Sequence, residues 1–215
     1  MKLRQIELSI RARDERSERF NWSANTVANM FEKQLVGYVT DGVFRVNVRA
    51  VTPYHSQLRI DSLVDVVEVD APFDLDYYER LQDFDRRALC AKVIYDALCR
   101  VAERRSWQTA PIAQAYASIR SLKYVNVARW GAPKANQSRR VRAQIEYDFG
   151  TVSIDGLVRF TNRSGALLGT RELFSLLPSE FYLSEALGRI RWISETRVDL
   201  ESVDKTRTWS ASFET

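Results

Sequence analysis

Residues 74–105 read DLDYYERLQDFDRRALCAKVIYDALCRVAERR, the longest helical pattern in the chain and the stretch around which the rest must be arranged. At about 100° per residue, Tyr77, Leu81, Phe84, Ala88, Ala91, Tyr95, Leu98, Cys99 and Ala102 fall on one face. From Ala88 to Ala102 the other side is apolar as well, through Leu89, Cys90, Val93, Ile94, Ala97 and Val101. Only Lys92, Asp96 and Arg100 form a polar stripe. A helix that is apolar nearly all round is a buried helix. Its ends fit the helix dipole, with Asp74, Asp76 and Glu79 early and Arg100, Arg104 and Arg105 late. Asp74 suits the N-cap, two residues after Pro72. As one piece the helix measures about 45 Å, with a bend expected where the pattern weakens, from Gln82 to Asp85.

Strand patterns flank this rod. Ile6 to Ala12 alternates with Glu7 to Arg13 at the two-residue period of a half-buried strand. The charged run 13–19 reads as a loop, and Ser23 as the cap of a short helix carrying Val27, Met30, Phe31 and Leu35. Val36–Thr40 and Val43–Val51, joined by Asp41-Gly42, form the strongest hairpin signal, because Asp-Gly tolerates the positive φ of tight turns. In its second strand Phe44, Val46, Val48 and Ala50 face one way, and Arg45, Asn47 and Arg49 the other. After a break at Pro53, Leu58 to Val69 continues as one more strand, so that the first third reads as a meander with a helical interruption.

Beyond residue 106, Thr109 and Pro111 open a second helix with an Ile112, Ala115, Tyr116, Ile119 stripe. A strand over Tyr124–Trp130 ends at Gly131-Ala132-Pro133, and residues 134–139 read as a mobile basic loop. Val141 to Phe149 is the cleanest alternation in the chain. Val152, Ile154, Val158 and Phe160 supply its partner. Thr170–Leu177 and Ser179–Leu187 read as short helices, and strands near 190–198, 198–203 and 207–213 close the chain. Strands grouped around helices without regular alternation specify an α+β protein, with mainly antiparallel sheets packed around one long buried helix and two or three shorter ones. The 215 residues suit a single domain over 1–215, with a two-lobed arrangement, 1–106 and 107–215, as the variant.

The composition, 45% hydrophobic and 28% charged, is that of a soluble globular chain. No apolar run reaches membrane-spanning length, and Met1 to Arg13 lacks the apolar core of a signal peptide, so a cytoplasmic protein without a membrane partner is expected. Cys90 and Cys99 are nine residues apart on one helix, about 13 Å along its axis, too far for a disulfide. They read as small buried hydrophobes.

The motifs for chemistry are sparse. His55, the single histidine, stands in Pro-Tyr-His-Ser-Gln and would have to serve any histidine-based triad, but no Gly-x-Ser-x-Gly elbow accompanies it. One histidine and two cysteines supply no zinc ligand set, and the scattered glycines form no phosphate loop. No catalytic, metal or cofactor-binding residue is assigned, and no cofactor is expected. The carboxylate pairs Glu68/Asp70 and Glu146/Asp148 share strand faces and could seat magnesium, although neither is followed by the lysine of a carboxylate-x-lysine nuclease.

Charge is the remaining signal. The net charge is +4, and no acidic residue occurs between Glu103 and Glu146. Arg104, Arg105, Arg120, Lys123, Arg129, Lys134, Arg139, Arg140 and Arg142 lie in that gap, interleaved with Tyr116, Tyr124 and Trp130. This combination grips phosphates and stacks bases; the alternative is a solvated hairpin with core aromatics. The expected binding residues are Arg120, Lys123, Arg129, Trp130, Lys134, Arg139, Arg140 and Arg142. The preferred function is a non-enzymatic protein-binding protein, an immunity or toxin-neutralising protein or an adaptor, meeting an acidic partner protein through a charged face. A nucleic-acid-binding protein using 104–142 is the first alternative, and a metal-dependent hydrolase or nuclease on the strand carboxylates the second. Oligomeric state is not encoded in any of these patterns.

Overall fold

The computed structural model describes residues 1–51 and 59–213. His55 and the break at Pro53 lie outside them. The architecture is α+β with mostly antiparallel sheet, as the patterning implies. The residues form two compact units, Met1–Val125 and Asn126–Thr215.

The first unit opens with β1 (Gln5–Ser9), α1 (Glu15–Gln34) and β2 (Arg45–Val51). β3 (Ile60–Leu63) and β4 (Val66–Pro72) follow as a hairpin, where one strand over 58–69 was expected. The sheet order is β1-β2-β4-β3. β2 runs parallel to both β1 and β4, with Val46 beside Ile6 and Val67, and Val48 beside Leu8 and Val69. These six side chains are at most 5% exposed and form the inner face of the sheet.

Parallel neighbours need a crossover, and α1 supplies it. The charged run 13–19 is therefore no loop but the helix start. Asp14 caps the helix by accepting the Ser17 N–H at 2.9 Å, and Glu15 and Glu18 sit in the first turn, where the dipole favours them. Phe20, Ala24, Val27 and Phe31 then carry the buried stripe. The expected hairpin across Asp41-Gly42 is not formed either. The turn exists, with Gly42 at φ +101°, but residues 36–40 pair with the N-terminus instead. Leu3 donates to the Tyr38 carbonyl at 2.9 Å and Thr40 to that of Met1 at 2.8 Å. With β1 and β4 on both sides of β2, no edge is left there for residues 36–40, and the first third is a mixed sheet, not a meander.

The 74–105 rod is divided. Asp74 caps α2 (Leu75–Arg80) by accepting the Tyr77 N–H at 2.9 Å. The backbone is extended at Leu81 and Gln82 before α3 (Asp83–Arg105), the bend anticipated in this region. The 23 residues of α3 span about 35 Å. Cys90, Ala91, Ile94, Ala97, Leu98, Val101 and Ala102 are buried, whereas Phe84, placed on the apolar face by its spacing, is exposed. Cys99 is half-buried, not enclosed like Cys90. α3 ends at Ser106 in left-handed conformation. α4 (Ala110–Ser121), with Pro111 in its first turn, packs on α1 and α3, where Tyr95 and Tyr116 stack with ring centres 4.5 Å apart.

The second unit holds two antiparallel sheets. β5 (Val127–Ala135), β6 (Val141–Phe149), β7 (Ile154–Asn162) and β8 (Leu167–Leu176) form one in sequential order. After α5 (Glu180–Ala186), strands β9 (Arg189–Trp192), β10 (Arg197–Glu201) and β11 (Thr208–Ser212) form the other. The segment 170–177, expected to be helical, lies almost wholly in β8. Leu173, Phe174, Leu176 and Leu177 have helix-like spacing, but Phe174 alone among them is buried. Its ring lies over Gly156 on the adjacent strand, where a Cβ would come within 2.2 Å of the ring. This core is separate from that of α3 and includes Val141, Ala143, Ile145, Phe149, Val158, Phe160, Val198 and Leu200. No helix among the described residues is long and apolar enough to cross a membrane.

Candidate binding surface

The acid-free stretch is continuous in sequence but is shared between the two units. Arg120 and Lys123 belong to the first. The Arg120 guanidinium stands 5.8 Å from the centre of the Tyr116 ring, a cation–π contact, and Lys123 is exposed on a left-handed residue after α4. Tyr124 is buried and Tyr116 is stacked on Tyr95, so both of these aromatics serve packing.

In the second unit the cations separate by environment. On the outer face of the sheet Arg129 lies opposite Glu146 and donates to it at 3.3 Å. Arg159 approaches the same carboxylate from the other side at 4.0 Å. Arg129 is thus committed within the sheet. Lys134, Arg139, Arg140 and Arg142 are all exposed, and among the described residues none of them forms an ion pair.

The β5–β6 turn that carries Arg139 and Arg140 was expected to be a mobile loop. Instead β5 remains paired through Ala135, and Asn136, 4% exposed, pins the turn. Its Oδ1 accepts the N–H groups of Arg140 at 3.0 Å and Val141 at 3.1 Å. Its Nδ2 donates to the Glu195 carbonyl at 3.1 Å and to the Glu195 carboxylate at 2.7 Å. Ser138 donates to the same carboxylate from N at 3.0 Å and from Oγ at 2.6 Å. A buried amide with every polar group matched is a rigid fixture.

Register brings a further arginine to this end. Val141 at the start of β6 is opposite Asn162 at the end of β7, and Arg163 donates from Nε to the Arg139 carbonyl at 2.8 Å. The β7–β8 turn is tied by the Asn162 side chain, which accepts from Ala166 N at 2.9 Å, and Gly165 supplies φ +86°. Arg139, Arg140, Arg142 and Arg163 thus gather at two neighbouring hairpin tips. Arg163 was missed because it lies outside the acid-free stretch; the signal for it was the Asn162–Gly165 turn facing 136–140 across two strands.

Trp130 is half-buried against the core, and its exposed part lines an open groove of about 560 Å³ with Lys134, Arg189, Ile190, Arg191 and Trp192. β5 is interrupted there, since pairing with β6 jumps from Trp130 to Lys134. Gly131 in the bulge takes φ +67°. Trp192 is fixed by donating Nε1 to the Lys134 carbonyl at 2.9 Å and by packing on Phe160 and Phe213.

Of the strand carboxylates, Glu68 and Asp70 are engaged in the first unit, and Glu146 is held by Arg129. Arg49 meets Asp70 at 2.7 Å, Glu68 at 3.0 Å and Asp61 at 3.1 Å. Asp70 is 3% exposed, and its other oxygen accepts the Arg59 N–H at 3.1 Å. Burial of Arg49 opposes its charge, but the surrounding carboxylates outweigh this and raise its pKa. The Cys90 thiol is pushed up to about 12 by burial alone, which keeps it protonated and a poor nucleophile. No family model, no curated protein sequence and no solved structure matches this chain, so the site is read from its own residues.

Proposed function

We propose that this protein is a non-enzymatic binding protein of the immunity or adaptor kind, which holds an acidic protein surface against the arginine tips of the second unit. The observation that carries this reading is the contrast between Arg49, ringed by three carboxylates, and Arg139, Arg140, Arg142 and Arg163. The latter four are exposed without ion pairs among the described residues, on or, for Arg142, beside turns held by buried or paired asparagines. Pre-positioned cations with unmet charge accelerate encounter with an acidic partner and select against basic ones. The setting is taken as cytoplasmic, where the free thiols Cys90 and Cys99 remain reduced.

The test is affinity capture from the native host with the wild-type chain and with the triple variant Arg139→Glu, Arg140→Glu, Arg142→Glu, each capture read by quantitative mass spectrometry. A stoichiometric protein retained by the wild type and lost by the variant is the expected result. In parallel, single- and double-stranded oligonucleotides are titrated across a salt series. Tight binding with a steep inverse salt slope that the variant flattens, and no protein partner, assigns the tips to nucleic acid and overturns the proposal.

A further inference from the structure

We infer that the Trp130–Trp192 groove takes an extended acidic peptide segment of the partner, which adds as a strand to the free edge of β9. The inference rests on the binding role just proposed and names what is bound. β9 is the terminal strand of its sheet, paired with β10 on one side only. Among the described residues, no other backbone or side chain donates to or accepts from the backbone of residues 189–192. On the far side of the groove stands β5, also a terminal strand, but its edge is interrupted over 131–133 and contains Pro133, which has no N–H to offer. β9 is therefore the template, and an unpaired strand edge is the feature that extended peptides recognise.

Side chains define what kind of peptide fits. In a strand, successive residues point to opposite sides, so an added strand presents every second side chain to the groove floor, which is formed by the Trp130 and Trp192 indoles and Ile190. Lys134, Arg189 and Arg191 stand around that floor. Lys134 and Arg189 have no ion pair among the described residues, whereas Arg191 meets Glu201 at 2.7 Å. Apolar side chains alternating with carboxylates match this arrangement. Single-stranded nucleic acid would use the indoles and the cations but not the strand edge, so the edge favours peptide.

The experiment uses the full chain and a fluorescein-labelled eight-residue peptide alternating glutamate and valine. Three controls accompany it: the same peptide with lysine for glutamate, one N-methylated at alternate backbone positions, and a fifteen-nucleotide oligothymidylate. Anisotropy should report saturable binding of the glutamate peptide, weakened at least tenfold by Lys134→Glu with Arg189→Glu, both exposed positions. N-methylation should weaken it at least tenfold as well, and the lysine peptide should not bind. Amide resonances of residues 189–192 and both indole N–H signals should shift on titration. Binding indifferent to N-methylation, shifts that avoid 189–192, or an oligothymidylate that binds when the peptide does not, each overturns the inference. If the captured partner is lost by the tip variant but kept by the Lys134/Arg189 variant, the groove assignment fails while the binding role stands; if neither variant alters capture, the role itself fails.

Discussion

Replacing Asn136 by alanine isolates the fixture that holds the arginine tips. In the folded chain this 4% exposed amide serves the backbone N–H groups of Arg140 and Val141 and two oxygens of Glu195. Alanine leaves the Val141 N–H, in a buried environment, without its side-chain acceptor, a loss worth about 1–3 kcal/mol. The Arg140 N–H can be rehydrated, and together with the lost Glu195 contacts it adds about 1 kcal/mol. The sum, about 2–4 kcal/mol, corresponds to a drop of roughly 10–25 °C in the melting of a unit of this size. Thermal unfolding followed by circular dichroism measures this, and hydrogen exchange should show faster exchange at residues 139–142 than elsewhere in β6. Asn136→Asp keeps the acceptor but sets a second carboxylate against Glu195, and should recover part of the loss only below about pH 4, where carboxylates protonate. A melting change under 2 °C for the alanine variant, with unaltered exchange at 139–142, would refute the claim that this side chain organises the turn.

Two further perturbations probe other parts of the molecule. Arg49→Ala strands the enclosed carboxylate of Asp70 and should cost about 3 kcal/mol or more, seen as an earlier urea midpoint that added salt barely changes. Asp204 is held down to about 2 by hydrogen bonds from the Ser202 and Thr206 hydroxyls and the Thr206 N–H. Its folded-state pKa is below the unfolded value, so its contribution is present above about pH 4 and is lost as pH falls toward 2. The gap in melting temperature between wild type and Asp204→Ala should therefore be constant from pH 5 to 7 and close between pH 4 and 2; a gap that stays open at pH 2 contradicts this.

The periodic elements were legible because burial imposes period on sequence. The β6 alternation and the Ala88–Ala102 rod could be read directly, and Asp74 and Pro111 marked helix starts correctly. The errors share a cause, which is that local patterns do not name their partners. Asp41-Gly42 makes its turn, yet whether Val43–Val51 pairs back on residues 36–40 or accepts β1 and β4 in parallel depends on α1 crossing between them. That crossing was hidden because the first turn of α1, Glu15 to Arg19, is charged on both its outer face and its dipole end. β8 deceived in the opposite way: register shifts against β7 near Leu157 and Thr161 break its alternation, and four apolar residues imitate a helix. The candidate surface was half legible. The acid-free stretch identified Arg139, Arg140 and Arg142, but it also included Arg129, whose counterion Glu146 is adjacent only through strand pairing. It omitted Arg163 and Trp192, which are brought in by register and by a neighbouring sheet.

Stability gives an independent reason to separate the tips from the rest of the charge. Arg49 is costly to remove because its removal strands buried carboxylates. The tip arginines fan out from strands about 5 Å apart, inside the roughly 8 Å over which charges feel each other at physiological salt. With no carboxylate paired to them among the described residues, they repel one another. Such a cluster lowers stability by a few tenths of a kcal/mol per neighbour, so neutralising one member, as in Arg140→Gln, should leave the melting temperature unchanged or slightly raise it, most visibly at low salt. Mutually repelling cations at these hairpin tips add nothing to the fold, whereas the proposed acidic partner would use them. If Arg140→Gln were instead to destabilise the chain by more than about 1 kcal/mol, the guanidinium would be satisfied within the fold and could not be the unmet charge on which the binding role depends.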